Sequence, residues 1–322
     1  MDEFAACSKE DQISHLEALG RNALADFEVV PTSMSPLVHA ENTTFRVQSS
    51  EGEFCLRISR PGYQSTANIR SEIVFLAALS EVGRHVPRPW QPRVVTASAP
   101  GVPEERDCVL FHWIEGEICR QGLSREQAIQ SGELAARLHA FVEGWTEPPG
   151  FDRQRVHTWL LDHNERLNVE TPSPMVREED RMHLLQVMEE SRQLGAGLPK
   201  SPTWIRLIHS DLHPANIVVR DEQVFAIDFD DTGYGFLIYD FAAMLSFKVG
   251  KEGFDDYRDA VSEGYSRIRP LPPQTEELLP AFLRLRMASL CNWVTGRADN
   301  PELREIGPDF IAGMCERIKG LR

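Results

Sequence analysis

The sequence predicts a two-lobed α+β fold, in which a small antiparallel sheet lobe precedes a larger, mainly helical lobe. Strand-like runs dominate the chain up to residue 114, and apolar residues at helical spacing dominate the rest. The length of 322 residues also suffices for two lobes of roughly 100 to 200 residues each. We therefore expect one lobe at residues 1–114 and the other at residues 115–322.

The first lobe is predicted to contain a small sheet and one helix. The strand-like runs lie at residues 27–30, 43–48, 54–59 and 108–114. Residues 49–52 are predicted to form a hairpin turn between the second and third runs, and residues 31–40 a loop. Because side chains alternate along a strand, Arg57 projects from the face opposite the apolar side chains of the third run. Apolar spacings of three and four then predict a helix that contains Glu72 and ends near Gly83.

The second lobe is predicted to be helical apart from one cluster of strands. The polar residues 115–117 form the predicted hinge that precedes it. Helical periodicity covers residues 126–142, 157–168, 178–194 and 239–319, with a break at residues 270–273. The strand cluster comprises residues 205–208, 217–220 and 224–229.

The composition argues against two classes of partner. The chain has 49 acidic and 34 basic residues, so its formal net charge is -15. A field of this sign repels nucleic-acid phosphates and anionic lipids. We therefore expect a small-molecule substrate, no nucleic-acid partner and no membrane partner. The same field favours substrates that carry an amine, and the sequence predicts no particular oligomeric state.

The N-terminus and the cysteines predict a cytoplasmic protein. The opening residues lack the basic and apolar regions of a signal peptide, and no run approaches eighteen consecutive apolar residues. Six cysteines are scattered without a CxxC pair, which argues against a zinc knuckle and a disulfide framework. Reduced thiols are therefore expected.

Three polar side chains in the strand cluster have the arrangement that phosphoryl transfer requires. Asp211 and Asn216 lie five residues apart in a loop between two predicted strands, and Asp228 lies at the end of the next strand. In phosphoryl transfer one group orients the incoming hydroxyl, while oxygen ligands hold magnesium against the nucleotide phosphates. Asp211 suits the first role, and Asn216 and Asp228 suit the second.

The loop and the following strand also form a longer motif. His209, Asp211 and Asn216 give the pattern HxDxxxxN, and Ile227-Asp228-Phe229 gives (I/V)D(F/L) at the end of the strand. This motif resembles the aminoglycoside and choline phosphotransferase family of the kinase-like fold, which is related to type II homoserine kinases and stress-response kinases. The resemblance also covers residues 41–47, 56–58, 138–139 and 239–242.

The resemblance implies a role for each candidate site residue. The first lobe would bind ATP or GTP as the phosphoryl donor, together with Mg²⁺. Arg57 would contact the α- and β-phosphates at the position of the kinase lysine, and Glu72 would hold Arg57 by an ion pair. Asp211 would be the catalytic residue, and Asn216 and Asp228 would bind Mg²⁺. The implied reaction transfers the γ-phosphoryl group to a hydroxyl group of a small molecule.

Three features depart from the pattern of lysine-bearing protein kinases. Arg57 has a planar guanidinium group that can bind phosphate and carboxylate together, but the distance that its side chain spans differs from that of lysine. Residues 31–40 contain no glycine with which a backbone loop could cradle phosphates. Asp230 stands where protein kinases have the glycine of DFG. We expect Asp230 and Asp231 to face solvent, with contact to a metal-bound water as the alternative.

Other functions remain open from the sequence. His209, Asp211 and His213 could form the transition-metal site of a hydrolase. The arginine at position 57 is also compatible with a catalytically inactive nucleotide-binding pseudokinase, and the stress-response branch contains Ser/Thr protein kinases. The two histidines are otherwise expected to support the loop, and Asp240 is expected to anchor it by accepting backbone N–H bonds. Residues 152–168 and 254–293 are expected to select the acceptor.

Overall fold

The chain has a mixed fold, with an antiparallel sheet in its N-terminal region and a helical C-terminal part, as predicted. The computed structural model describes residue 4 and residues 7–40, 42–83, 85–120, 122–155, 167–298 and 300–321. The chain forms two compact units. Unit 1 comprises Met1–Glu117, Glu147–Arg153 and Phe225–Asp230, and unit 2 comprises Ile118–Thr146, Gln154–Val224 and Asp231–Arg322. Two later segments thus join unit 1, although they follow the predicted boundary after residue 114.

Unit 1 is built on a five-stranded antiparallel sheet. Its strands are β1 (Pro31–His39), β2 (Thr43–Ser49), β3 (Gly52–Ile58), β4 (Val95–Ala97) and β5 (Arg106–His112), and its helices are α1 (Lys9–Asp26) and α2 (Thr66–Glu81). The strand order is β1-β2-β3-β5-β4. The predicted hairpin turn is confirmed, because Ser49 pairs with Gly52, whose φ of 132° is a conformation that glycine adopts readily.

The core of unit 1 lies between α1 and one face of this sheet. The side chain of Ser8 caps α1 by accepting a hydrogen bond of 3.1 Å from the backbone N–H of Asp11. The buried cluster includes Leu16, Leu19, Leu24, Phe45, Val47, Phe54 and Leu56. The predicted alternation along β3 is confirmed, since its apolar side chains enter this cluster. The predicted helix with Glu72 is also confirmed as α2, and it ends before Gly83, which has a φ of 67°.

The predicted strand at residues 27–30 was wrong, and the preceding helix α1 was not predicted. Phe27 instead ends α1, because its backbone N–H donates to the carbonyl oxygen of Ala23 at 3.1 Å. Glu28 then has a φ of 60°, which a strand does not allow. The apolar side chains of Phe27 and Val29 are buried because they close the core after the helix.

The prediction of a loop at residues 31–40 was also wrong, because β1 fills Pro31–His39. β1 is an edge strand, and most of its residues are exposed on both faces. Such a strand has no alternation of apolar and polar residues from which it could be recognised. Pro36 is tolerated because the strand is at the edge and the register with β2 shifts between Pro36 and Val38.

Unit 2 is mainly helical. Its helices are α3 (Arg125–Gly144), α4 (Glu178–Gly197), α5 (Leu237–Leu245), α6 (Phe254–Ser266), α7 (Thr275–Thr295) and α8 (Pro301–Gly320). Strands β7 (Ile205–Ile208) and β10 (Gly233–Phe236) form an antiparallel pair. A further sheet has the order β6-β8-β9, with β6 at Glu117–Ile118, β8 at Ile217–Arg220 and β9 at Gln223–Ala226. None of the described helices combines the length and apolarity that crossing a membrane requires.

Most helices of unit 2 were predicted, but its strands were predicted less well. The predicted helices at 126–142 and 178–194 are confirmed, as is the break at 270–273. The predicted helical stretch 239–319 has two further breaks, one between α5 and α6 and one between α7 and α8. Within the predicted helix at 157–168, residues 157–166 lie outside the described part of the chain, and Asn168–Glu170 is a short 3-10 helix. β9 ends at Ala226, before the predicted end at residue 229. β10 was not predicted because its sequence, Gly-Tyr-Gly-Phe, is short and half glycine.

Two glycines allow α3 and α6 to pack backbone against backbone. A Cβ atom on Gly132 would overlap the carbonyl oxygen of Val261, and a Cβ atom on Gly264 would overlap the carbonyl oxygen of Ile129. Both overlaps are with backbone atoms, which cannot rotate away as a side chain can. The close approach of these two helices therefore depends on the absence of a side chain at both positions.

We expect Gly264→Ala to lower the free energy of unfolding by at least about 2 kcal/mol, because the methyl group forces the helices apart. Gly313→Ala is the matched control, since Gly313 lies inside α8 with no atom near the position of its Cβ. This control should instead raise the free energy of unfolding by about 0.5 to 1 kcal/mol, because alanine favours a helix. Chemical denaturation measures both changes. Equal effects of the two substitutions would contradict the close helix contact.

Candidate active site

Asp211 and Asn216 lie together in the loop between β7 and β8. The loop continues into the short 3-10 helix Pro214–Asn216, which brings the Asn216 side chain back toward Asp211. The amide Nδ2 of Asn216 donates to the backbone oxygen of Asp211 and to its carboxylate Oδ2, each at 2.9 Å. The two residues that the sequence separates by five positions are therefore in direct contact. The contact fixes both the backbone and the carboxylate of Asp211.

A buried carboxylate on α5 anchors the start of this loop. Asp240 accepts hydrogen bonds from the backbone N–H groups of His209, at 3.1 Å, and Ser210, at 2.8 Å. Its Oδ2 also lies 3.0 Å from Nε2 of His139, whose Nδ1 meets the hydroxyl of Tyr265 at 2.8 Å. Burial alone would raise the pKa of Asp240, but these hydrogen bonds hold that pKa below its usual value. The predicted anchoring role of Asp240 is confirmed.

The two histidines of the motif support the loop from within. Nδ1 of His209, which is fully buried, accepts from the backbone N–H of Asp211 at 3.3 Å. Nδ1 of His213 accepts from the backbone N–H of Ala215 at 3.2 Å, and its ring lies 5.0 Å from that of Phe247. Within the part of the chain that the structure describes, no group of three or more His, Cys, Asp or Glu side chains could hold a metal ion.

Asp211 also forms an ion pair that sequence reasoning missed. The guanidinium of Arg286, on α7, contacts Oδ1 of Asp211, and Arg286 is 8% exposed. Burial alone would raise the pKa of Asp211. The charge of Arg286, with His213 and His209, instead holds that pKa well below its usual value. The carboxylate of Asp211 is therefore strongly held in its ionised form.

The position of Arg286 in α7 carried a signal that could have revealed it. Leu279 and Leu283 precede Arg286 at spacings of seven and three residues, and all three side chains are buried. A charge on the apolar face of a helix is rarely found without a partner. The sequence therefore marks Arg286 as unusual, although nothing local identifies Asp211, 75 residues earlier, as its partner.

In unit 1 the predicted ion pair of Arg57 and Glu72 is present. Nη1 and Nη2 of Arg57 donate to the two carboxylate oxygens of Glu72 at 2.8 Å and 2.6 Å. Both side chains are buried, and such a two-point pair is the strongest geometry for these groups. Burial would lower the pKa of Arg57, but Glu72, Asp230 and Asp228 raise it, so the guanidinium stays charged.

Asp230 does not face solvent, so that expectation was wrong. The residue is 7% exposed, and its Oδ2 accepts from Nδ2 of Asn42 at 2.7 Å. Burial raises the pKa of Asp230, while Arg57 acts in the opposite direction. The rule that neighbouring charges are usually solvated failed here because the cation of Arg57 and the amide of Asn42 are available to the buried carboxylate.

Hydrogen bonds to backbone carbonyl oxygens hold the segment around Asp228 in place. Asp228 has a φ of 65°, a conformation that is uncommon for a residue with a side chain. The guanidinium of Arg153 donates to the carbonyl oxygens of Phe229, at 3.2 Å, and Asp230, at 2.5 Å. Nε2 of Gln64 donates to the same oxygen of Asp230 at 3.0 Å. Neither Arg153 nor Gln64 was predicted, because neither lies in a sequence motif.

The candidate residues thus form two groups. Arg57, Glu72 and Asp228 belong to unit 1, and Asp211 and Asn216 belong to unit 2. Within each unit the local contacts are as described above. The joint role of Asn216 and Asp228 as metal ligands rests on the sequence motif and stays a prediction.

Comparison with known proteins identifies relatives over almost the whole chain. An amicoumacin kinase of Bacillus subtilis (strain 168) is 23% identical over 323 aligned residues, which cover 96% of this chain and 93% of the relative. A structure of a microcompartment-associated aminopropanol kinase is 27% identical, with a TM-score of 0.81, and the match covers 94% of this chain and 98% of that one.

More distant structures share the fold. A choline kinase from Cryptosporidium parvum Iowa II is 15% identical, with a TM-score of 0.64, and the match covers 97% of this chain and 96% of that one. A profile of the phosphotransferase enzyme family matches residues 34–278, which include both groups of candidate residues. The chain therefore belongs to the phosphotransferase enzyme family and is a small-molecule kinase-like phosphotransferase.

Proposed function

We propose that this protein transfers the γ-phosphoryl group of Mg-ATP to a hydroxyl group of a small amine-bearing alcohol. The observation that carries the proposal is the contact between Asp211 and Asn216, in which the amide Nδ2 of Asn216 holds the backbone oxygen and the carboxylate of Asp211. Phosphoryl transfer needs this pairing, because one group must orient the hydroxyl while another helps to hold the metal and phosphates. The family match over residues 34–278 supports the same reaction class.

Asp211 is the proposed catalytic residue. Its side chain is 22% exposed, so part of the carboxylate is open to an acceptor. The ionised carboxylate would accept a hydrogen bond from the acceptor hydroxyl and point its oxygen at the γ-phosphorus. Because the pKa of Asp211 is well below its usual value, orientation of the hydroxyl outweighs early removal of its proton.

The proposed metal ligands have suitable chemistry for Mg²⁺. Magnesium prefers hard oxygen ligands, and Asp228 supplies a carboxylate. Asn216 uses its Nδ2 for both contacts to Asp211, and no donor in the described part of the chain contacts its Oδ1. In this orientation of the amide group, Oδ1 of Asn216 is the atom that would bind the metal ion. When bound, Mg²⁺ neutralises charge on the nucleotide phosphates.

The proposed donor is ATP, with GTP as the alternative that the assay includes. An amicoumacin kinase that is 20% identical, with a TM-score of 0.75, has been solved with AMP-PNP, Ca²⁺ and Ami. This relative supports the use of a nucleotide and a divalent cation. The buried pair of Arg57 and Glu72 would contribute a rigid cation to the α- and β-phosphates.

The proposed acceptor class follows from the substrates for which two relatives are named and from the net charge of this protein. Relatives include an aminopropanol kinase and a choline kinase, whose named substrates are cationic alcohols. The net charge of -15 would attract a cation of this kind. We also propose that the protein acts in the cytoplasm, in keeping with its six cysteines, which all lie in the described part of the chain and form no disulfide there.

A nucleotide-consumption screen tests the proposal. The panel contains amino alcohols, amino acids, aminoglycosides, sugars and a generic protein, each with ATP or GTP and with or without Mg²⁺. We expect Mg²⁺-dependent consumption of ATP with an amino alcohol. Phosphorylation of the protein substrate alone would support the Ser/Thr protein kinase alternative, and nucleotide binding without turnover would support the pseudokinase alternative.

We expect Asp211→Asn to lower kcat by about 10²- to 10⁴-fold, because the neutral amide cannot orient the acceptor hydroxyl as the ionised carboxylate does. The dissociation constant for ATP should stay within about threefold of the wild-type value, because Asp211 is assigned to the acceptor. Steady-state kinetics and nucleotide titration measure the two quantities. Asp309→Asn, on the exposed surface of α8, is the matched control and should keep wild-type kcat. Turnover of Asp211→Asn near the wild-type rate would refute the assignment.

We expect Arg57→Met to lower the free energy of unfolding by about 3 to 5 kcal/mol, because the buried carboxylate of Glu72 loses its partner. Its KM for ATP should also rise. Arg46→Met is the control on the neighbouring strand, since Arg46 pairs with Glu53 at a partly exposed site and should contribute at most about 1 kcal/mol. Denaturation and ATP kinetics check both effects. A stable Arg57→Met variant with unchanged KM would contradict the role of Arg57.

A further inference from the structure

The carboxylate of Asp211 is held on both of its oxygens. Oδ1 contacts the guanidinium of Arg286, and Oδ2 accepts from Nδ2 of Asn216 at 2.9 Å. Nε2 of His213 lies 3.4 Å from the same Oδ2. A carboxylate offers about four lone-pair positions, so these three neighbours leave room for one further donor. The side chain of Asp211 is 22% exposed, so that donor can come from outside the protein.

The Asp211 carboxylate is the main partner of the Arg286 guanidinium. The Arg286 side chain is 9% exposed, and its guanidinium contacts the carboxylate of Asp211. The guanidinium carbon lies 6.0 Å from the ring centroid of Tyr239. Nε of Arg286 is buried and has no hydrogen-bond partner among the described residues. The arginine is therefore incompletely satisfied, and its charge is compensated chiefly by Asp211.

A buried ion pair such as that of Arg286 and Asp211 contributes little to the stability of a fold. Burying two charges removes both from water, and apolar side chains of similar size stabilise a core as well or better. Arg284, two residues earlier on α7, differs in burial, since its side chain is partly exposed and pairs with the partly exposed Glu190 at 2.5 Å. The buried ion pair of Arg286 therefore calls for an explanation in the reaction, where the position of a carboxylate matters more than its solvation.

We propose that Arg286 is a positioning residue of the acceptor site, which holds the Asp211 carboxylate in the one orientation that leaves a lone pair open to the acceptor hydroxyl. The inference rests on the proposed function and deepens it. Arg286 acts through Asp211 and contacts no part of the phosphoryl group. The guanidinium is suited to this task because its rigid plane fixes the direction of the carboxylate, whereas an ammonium group would leave the carboxylate free to turn.

The test compares Arg286→Gln and Arg286→Lys with the control Arg181→Gln, on α4, where Arg181 pairs with Glu178 at 2.7 Å. We expect Arg286→Gln to lower kcat by about 100-fold, since small misplacements of a reacting group have effects of this size. Its KM for an amino alcohol should change by no more than about threefold, because binding of the acceptor is not at issue. Arg286→Lys should recover about tenfold of the lost kcat, because it restores the charge without the planar fork. Arg181→Gln should keep both constants.

A double-mutant cycle with Asp211→Asn separates positioning through Asp211 from a role of its own. We expect Arg286→Gln to lower kcat no further in the Asp211→Asn background, because the group that it positions is already lost. An equal loss of kcat in both backgrounds would overturn the proposal. A rise in KM without a fall in kcat, or a rise in kcat when the arginine is removed, would also overturn it.

The same four proteins give a readout that does not depend on activity. Their free energies of unfolding form a second cycle, in which positioning requires a coupling between positions 211 and 286. If the wild-type protein transfers no phosphoryl group to any acceptor, the proposed function fails, and the unfolding cycle still tests the ion pair. Additive effects on unfolding would overturn the proposal in that case. If Arg286→Gln does not fold, Arg286→Lys takes its place in both cycles.

Discussion

The loop that carries Asp211 and Asn216 depends on the buried carboxylate of Asp240. Two consecutive backbone N–H groups, those of His209 and Ser210, donate to it, and Ser210 has a φ of 72°. The uncommon backbone conformation of Ser210 is tolerated because the Asp240 carboxylate accepts hydrogen bonds from both N–H groups at once. His139 and Tyr265 complete the network from α3 and α6. These two helices can approach closely enough because Gly132 and Gly264 carry no side chain.

Buried charge recurs wherever the chain has a candidate role in the reaction. Arg57 pairs with Glu72, and Arg286 pairs with Asp211, in both cases with little exposure of the arginine. Each pair is costly to desolvate, so stability alone does not explain it. A reaction in which phosphoryl charge must be met by fixed groups does explain it, because fixed charges need no reorganisation when the transition state forms. We therefore interpret these two buried ion pairs as groups that are preorganised for the proposed reaction.

The sequence predicted those parts of the site that lie in local motifs. Asp211 and Asn216 were found because a short loop sets their spacing. Arg57 was found through the family resemblance, and alternation along β3 gave only the face on which its side chain lies. Arg286 was missed because it meets Asp211 through the packing of α7, which leaves no pattern near either residue. Arg153 was missed because it binds backbone carbonyl groups, and any side chains could stand at those positions. Tertiary contacts of this kind require coordinates.

In the fold, too, the elements with a local sequence pattern were predicted and those set by tertiary contacts were not. Amphipathic helices such as α2 and α3 were predicted because burial on one face imposes a period on the sequence. β1 is exposed on both faces and β10 is half glycine, so neither bears such a period. β1 stands where phosphate-cradling glycines were sought, and its lack of glycine is compatible with an edge strand that pairs along β2. A strand of this kind is defined by its partner and not by its own sequence.

The central claim is that the Asp211 carboxylate directs a small-molecule hydroxyl to the γ-phosphorus of ATP. Phosphorus NMR of the protein with ATP, Mg²⁺ and an amino alcohol tests it most directly, because the method identifies the phosphorylated product. The account predicts a phosphomonoester of the alcohol, formed in equal amount with ADP. ADP with inorganic phosphate alone, or unchanged ATP across the whole range of acceptor alcohols, would contradict it.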